Sequence, residues 1–323
     1  MEIKLITKEQ CAEAATLFVA RYQQLLSIYP ILPDRMADAA RVRSKLEHVV
    51  GKWGGVAAWE QGRLVGYLSW LYYDSFRGTG RRGAYCPEWA HACIGANRAA
   101  IYRALYTSAS AQWAADGCQV HAITLLANDP EAQQVWFWNG FGLLLADGIR
   151  AMQPLGIPYS PGLTIRKATP VDAEALCVLD AEHCRHYSTS PIFMTPRYGA
   201  SAQAFREFVG KERNSVWLAE DGPIPVGFIR YDGYDFDCAE IPQSDAGVFI
   251  SGAYVRPAYR GRMVAVALLD MALRDYAARG FSSCVLDFET FNPNAATFWP
   301  RYFDLVCYVL MRVPESLGSR TQD

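Results

Sequence analysis

The run Gly252-Ala-Tyr-Val-Arg-Pro-Ala-Tyr-Arg-Gly-Arg-Met-Val-Ala265 decides how this chain is read. It opens apolar and β-favouring, turns at Pro257, becomes basic around Arg260-Gly261-Arg262, and passes into the Ala/Leu-rich stretch Val-Ala-Leu-Leu-Asp270. A strand that feeds a basic, glycine-containing turn at a helix start is suited to holding phosphate. The first backbone N–H groups of a helix lack intrahelical partners, the helix dipole is positive at that end, and glycine permits close approach. An ordinary strand-to-helix connection with exposed arginines fits the same residues, so the rest of the chain has to choose.

The chain has 323 residues, 51% hydrophobic and 20% charged, with a formal net charge of −2. This length and composition suit a globular protein of two domains. The near-neutral charge gives no support for nucleic-acid or membrane-surface binding. No apolar run reaches the roughly 18 to 20 residues of a membrane span. The N-terminus, Met-Glu-Ile-Lys, is charged from its second residue, unlike a signal peptide. Nine cysteines without Cys-x-x-Cys spacing read as reduced thiols of a cytoplasmic protein. His183-Cys184-Arg185-His186 has no second ligand pair to complete a metal site, so a surface or packing role is expected there.

An internal repeat organises the chain. Ile3-Lys-Leu-Ile-Thr7 and Leu163-Thr-Ile-Arg-Lys-Ala168 read as strands, each followed by a helix cap, Thr7-Lys-Glu-Gln10 and Thr169-Pro-Val-Asp172. Hairpins turn at Gln61-Gly62 and Asp221-Gly222. Gly83-Ala-Tyr-Cys-Pro87 parallels Gly252-Ala-Tyr-Val-Arg-Pro257, later helices end at Gly117 and Gly280, and Asn128 with Trp136 parallels Asn292 with Trp299. Pro154 to Pro161 concentrates breakers and reads as the linker. The expected architecture is α/β (α+β), with domains at residues 1–155 and 162–323. Each would be a mixed, mostly antiparallel sheet flanked by helices.

With these motifs in hand, the chain resembles a tandem member of the GNAT superfamily of acyl-CoA-dependent N-acyltransferases. Val255-Arg-Pro-Ala-Tyr-Arg-Gly-Arg-Met-Val-Ala265 is similar to the family's signature, in which an Arg or Gln precedes a Gly by three positions and a Gly or Ala by five. Arg260 and Ala265 match, while Met263 stands where the first small residue is usual. Asn292-Pro-Asn-Ala295 with Trp299 resembles the later motif. The resemblance implies acetyl-CoA as donor, its pyrophosphate on Gly261, Arg262, Met263, Val264 and Ala265. Arg260 and Arg262 would supply charge, the pantetheine arm would lie along Tyr254 and Val255, and Asn292 would join the cofactor site. Only backbone donors are required at position 263, although the methionine side chain narrows the approach. Aligning Pro87 with Pro257 puts Ala90, His91 and Ala92 opposite Arg260, Gly261 and Arg262, so the N-terminal copy reads as degenerate.

Amine acylation requires a base for the amine and a proton for the thiolate. Asp287 occupies a slot that holds a carboxylate base in some family members, and Glu289 shares its face of the strand. Trp299 replaces the tyrosine that usually acts as acid, which leaves Tyr302 as a substitute if the helix survives Pro300. Tyr231-Asp-Gly-Tyr-Asp-Phe-Asp237 interleaves acids with aromatics, so Tyr234, Asp235 and Asp237 are candidates to bind a cationic amine. Cys284 and Cys307 have no adjacent histidine, and no covalent acyl-enzyme is expected. The reading is a cytoplasmic acetyl-CoA-dependent N-acetyltransferase acting on a small amine. Neither metal nor nucleic acid nor membrane is involved, and the chain is a monomer with pseudo-dimeric halves or a homodimer. The alternative is a non-catalytic acyl-CoA-binding or structural module.

Overall fold

The computed structural model describes residues 1–158 and 162–315, so residues 159–161 of the expected linker lie outside it. The chain divides into two compact units. The first holds Met1–Asp147, Ala239–Pro242 and the chain from Leu305 onward; the second holds Gly148–Cys238 and Gln243–Asp304. The expected boundaries followed the chain, whereas the first unit also takes in segments from far along the sequence.

The first unit begins with β1 (Glu2–Leu5), α1 (Cys11–Ile28), α2 (Ala39–Lys52), β2 (Gly55–Glu60), β3 (Arg63–Ser69), β4 (Leu71–Tyr73), β5 (Gly83–Cys86) and β6 (His91–Cys93). It continues with α3 (Arg98–Ala115), β7 (Val120–Leu126), α4 (Pro130–Trp138) and β8 (Gly142–Ala151), which ends in the second unit. The cap at Thr7 forms as expected, with Gln10 accepting from the Thr7 backbone N–H at 2.9 Å. Gln61 and Gly62 both have positive φ, as a two-residue hairpin turn of this type requires. Strands β1, β2, β3 and β6 form one antiparallel sheet. Strand β5 instead pairs in parallel with β7 and antiparallel with β4. The core packs Trp70, Trp113, Tyr106, Trp136 and Phe141 together, with Tyr106 5.3 Å from Trp136 and 5.2 Å from Phe141, centroid to centroid.

The second unit contains β9 (Thr164–Lys167), α5 (Ala173–Tyr187), α6 (Ala202–Val209), β10 (Ser215–Asp221), β11 (Ile224–Asp232), β12 (Gly247–Val255), α7 (Val264–Ala278), β13 (Ser283–Glu289) and α8 (Pro293–Phe298). Its sheet runs β13-β12-β11-β10-β9, antiparallel except for the parallel β12–β13 pair. Leu176 and Leu179 of α5 and Phe205 of α6 bury one face against Val216, Leu218, Phe228 and Tyr254. On the other contact of the sheet, Tyr276 of α7 meets Ser215 through its hydroxyl at 2.9 Å and Tyr231 at 5.4 Å between centroids. The last strand, β14 (Asp304–Arg312), belongs almost wholly to the first unit and runs antiparallel to β7, from Cys307 opposite Leu126 to Arg312 opposite His121.

Candidate active site

The decisive geometry is where β12 leaves β13. Their parallel pairing stops at Ile250 opposite Leu286. Beyond that rung β12 pairs only with β11, and a register shift places Ser251 as a bulge between Ile250 and Gly252. Arg230 pins the bulge: its Nε donates to Ser251 Oγ at 3.0 Å and its NH2 to the Ser251 carbonyl at 2.8 Å. The result is a slot between Gly252–Val255 on one side and Asp287–Glu289 on the other, with one edge of β12 free of strand partners.

At the end of the slot the chain makes the turn that the sequence singled out. Pro257–Tyr259 forms a short 3-10 turn, Gly261 has φ +74°, and Met263 is the N-cap of α7 in left-handed conformation at φ +61°. The first intrahelical bond runs from Ala267 N–H to the Met263 carbonyl, and the N-cap supplies no side-chain acceptor. The N–H groups of Val264, Ala265 and Val266 therefore emerge from the helix end. Gly261, Arg262 and Met263 are exposed and Arg260 is half-buried. Arg260 Nε donates to the Val255 carbonyl at 3.0 Å, and Arg262 lies 5.1 Å from the Tyr259 ring centroid. Arg256, by contrast, is committed to a bidentate pair with Glu182 of α5 at 3.0 and 2.8 Å.

Two carboxylates face the slot. Asp287 is half-buried and Glu289 is 8% exposed; both lie past the last β12–β13 rung. Asn292 caps α8 by accepting from Asn294 N–H at 3.2 Å. The C-terminal turn of α5 completes the wall, a contribution that the sequence reading assigned to packing or surface. Burial, and then the charges of Glu289 and Asp287, push the Tyr187 phenol well above its ordinary range. His186 lies 6.4 Å from Tyr254 between centroids. Its pKa is lowered, first by burial and then by the charge of Arg260 and by His183. His183 packs against Tyr187 at 4.9 Å and Tyr254 at 5.9 Å. The spacing of His183, His186 and Tyr187 puts them on one side of the final helical turn, which is the signal the sequence did carry.

Other expected residues take different places. Trp299 is buried and packs edge-on to Phe303, so it belongs to the core. The helix ends at Phe298, and Trp299–Arg301 tightens to a 3-10 turn at Pro300. Tyr302 thus follows a helix break, its ring 4.9 Å from Phe298 and its carbonyl accepting from Arg150 at 2.9 Å. Tyr234, Asp235 and Asp237 are exposed in a loop whose backbone is held by Asp232, which accepts from Tyr234 N–H at 2.9 Å and Asp235 N–H at 3.1 Å. Among the described residues no cluster is suited to a metal ion, and no helix is long and apolar enough to cross a membrane.

The first unit repeats this layout with the slot filled. Gly66 opposite Cys93 matches Gly227 opposite Val255, and Gly83 opposite Val120 matches Gly247 opposite Ser283. These rungs revise the alignment through Pro87: Cys93 is the counterpart of Val255. From there the chain reaches α3 at Arg98 through Ile94-Gly-Ala-Asn97, four residues where the second unit has eight before Val264. The turn is shortened and carries no arginine. The same rungs pair Thr124 with Asp287, Leu126 with Glu289 and Asp129, not Asn128, with Asn292. His91 spans the gap by donating from Nε2 to the Thr124 carbonyl at 2.8 Å, while Nδ1 meets the Tyr102 hydroxyl at 3.1 Å. Burial lowers its pKa to about 4, so the ring is neutral and Nδ1 accepts. Asp129 pairs with Arg98 and, at 2.9 Å, with Arg21, and Asn97 caps α3 by accepting from Ala100 N–H. What remains is a small cavity lined by Glu88, His91 and Tyr102 among others, with room for about a single water.

Comparison with known proteins agrees with this geometry. Residues 182–304 match the acetyltransferase (GNAT) family, so the second unit carries a GNAT domain. That family is one of acyl-CoA-dependent N-acyltransferases. No curated protein matches the sequence. A GCN5-related N-acetyltransferase from Sphaerobacter thermophilus is similar in fold at 16% identity and TM-score 0.56, covering 96% of this chain and 95% of its own. A glucosamine N-acetyltransferase region of a fungal multi-domain GH3 β-N-acetylglucosaminidase is similar at 11% identity and TM-score 0.56, covering 96% of this chain and 38% of that one. The GNAT fold therefore extends over nearly the whole chain.

Proposed function

We propose that the chain is an acetyl-CoA-dependent N-acetyltransferase that acetylates a small amine by direct attack on the thioester. The observation that carries this reading is the slot past Ile250 and Leu286, open at one end to an uncapped helix start and edged by Asp287 and Glu289. The N–H groups of the α7 start, with Arg260 and Arg262, suit the pyrophosphate. The edge of β12 turned away from β11, along Tyr254 and Val255, suits the amide groups of pantetheine, with the Val255 carbonyl already accepting from Arg260 and Asn292 completing the site. Asp287 attracts the ammonium form of the amine, and the more buried Glu289 takes its proton. Tyr234, Asp235 and Asp237 add negative charge and aromatic surface for the same cation. The cofactor site belongs to the second unit alone, because the first has filled its slot with His91 and has no basic turn.

Calorimetric titration with acetyl-CoA, followed by thiol-release assays over a panel of small amines, tests the reading. Binding with amine-dependent release is expected. Asp235→Asn combined with Asp237→Asn is expected to raise the acceptor KM several-fold and leave acetyl-CoA affinity unchanged. Tight binding without release for any amine would establish the alternative, a non-catalytic acyl-CoA-binding module.

A further inference from the structure

A half-buried cation stands where β12 parts from β13. Arg230 of β11 is paired with Gly252, so its side chain rises on the face where Gly252 has none. A methyl group on Gly252 would lie 3.4 Å from Arg230 NH2 and 3.6 Å from its Cζ, so the guanidinium covers that glycine. This face also carries the carboxylates. Leu286 shares a rung with Ile250, and Ile250 with Tyr231, whose ring packs on Tyr276 of α7. Alternation therefore puts Arg230, Asp287 and Glu289 on the opposite face, the one covered by α5 and α6. There Arg230 lies 5.8 Å from the Phe208 ring centroid. Its Nε and NH2 are spent on the hydroxyl and carbonyl of Ser251, and among the described residues it forms no ion pair. Asp180 of α5 feels its charge but is committed to Ala200 N–H at 2.8 Å and to His183 at 3.8 Å. Ser251 has no rung partner, and its carbonyl accepts from a side chain standing on the sheet face, so that carbonyl is turned out of the ladder.

We propose that Arg230 is a positioning residue for acyl transfer: it holds the Ser251 carbonyl away from the acyl group and keeps a positive charge at the split, where the thioester oxygen turns negative. This rests on the acetyltransferase reading above, in which the thioester lies in the slot. Carbonyl lone pairs facing that oxygen would oppose the charge it gains. The guanidinium occupies them instead. Because no carboxylate neutralises it, its own charge still acts on the slot, and more strongly there than in water. Two bonds to Ser251 fix it beforehand, so nothing has to reorganise as the reaction proceeds. The two signs then serve different ends: Asp287 and Glu289 draw the amine, and Arg230 favours the oxygen. As the amine nitrogen bonds to the acetyl carbon, the carbonyl electron pair moves onto oxygen. When it returns, the carbon–sulfur bond breaks and its pair goes to sulfur. The proton lost by nitrogen ends on the CoA thiol, and Arg230 neither gives nor takes one.

The test uses the full chain. Arg230→Gln keeps a donor for the carbonyl and removes the charge, whereas Arg230→Lys keeps the charge. With acetyl-CoA and an amine that supports release, Arg230→Gln is expected to lower kcat by about 30-fold and Arg230→Lys by no more than about fivefold. The acetyl-CoA Kd of both should stay within about threefold of the parent. A second measurement needs no amine. Infrared difference spectra of bound acetyl-CoA, labelled with carbon-13 at the acetyl carbonyl, should show that band moved to lower frequency by the parent and by Arg230→Lys, and much less by Arg230→Gln. An Arg230→Gln enzyme with kcat within about threefold of the parent overturns the proposal, and so does one that moves the carbonyl band as far as the parent does. If both variants lose kcat and acetyl-CoA affinity in equal measure, Arg230 only staples the strand, which also overturns it. Each of these results leaves the acetyltransferase reading intact. An unsubstituted protein that binds acetyl-CoA but acetylates no amine overturns both.

Discussion

Met263→Gly separates the backbone cost of the turn into α7 from the side chain that occupies it. Met263 adopts φ +61° as the N-cap of α7, a conformation that costs an L-residue roughly 1–2 kcal/mol. Glycine removes that cost but loses more freedom on folding, by about 0.5–1 kcal/mol. The net expectation is a gain of roughly 0.5–1 kcal/mol. The side chain is 38% exposed, so its removal forfeits little burial. Met263→Ala is the control, since it trims the side chain yet keeps the Cβ and with it the left-handed penalty. Urea unfolding followed through the second unit should rank glycine above alanine by about 1 kcal/mol. Titration with acetyl-CoA should show the glycine variant binding at least as tightly as the parent. A glycine variant no more stable than the alanine variant would refute the idea that the turn is strained at this residue.

Two further predictions concern the first unit. Glu88 is buried and accepts from Glu240 and Ile241 N–H at 2.7 and 3.1 Å, and burial with the Glu240 charge raises its pKa from 4.5 to about 7. A carboxyl with a raised folded pKa favours the fold fully below its unfolded value, and that contribution is lost as pH rises through about 7. Glu88→Gln keeps the accepting oxygen, so compared with the parent it should remove a destabilisation of roughly 3 kcal/mol at pH 8 and change little at pH 4; thermal melts across that range read the difference. Asp129→Ala leaves Arg98 and Arg21 without this shared carboxylate and removes the cap on α4, so it should cost about 3 kcal/mol, measured by denaturant unfolding.

How much of this was visible in the sequence differs from element to element. The caps at Thr7 and Thr169, the hairpin turns, and the glycines closing α3 and α7 were legible because each is set by a few neighbouring residues. The turn into α7 was legible for the same reason, and Met263 takes a left-handed conformation there. The correspondence between the two copies was not. Pro87 and Pro257 are similar in local sequence, but equivalence is fixed by ladder partners, and those place Cys93 beside Val255. The role of α5 was hidden in another way. His183, His186 and Tyr187 are remote in sequence from Glu289 and Asn292, and only the packing of α5 on β11 and β12 brings them together. The cluster was weighed as a metal site, for which it lacks ligands, while its proximity to carboxylates could not be read from spacing.

The late position of β14 bears on how the protein is made. Strand β7 is synthesised early, yet its antiparallel neighbour is the last of the described strands, and Glu88 waits for the backbone of Glu240 and Ile241. The N-terminal half thus leaves the ribosome with an unpaired strand edge and a buried acid lacking its hydrogen-bond donors. The unit whose strands are made first therefore completes its sheet only when β14 has emerged, and until then it presents an open β-edge of the kind that chaperones shield. A fragment ending at residue 155 would keep that edge permanently.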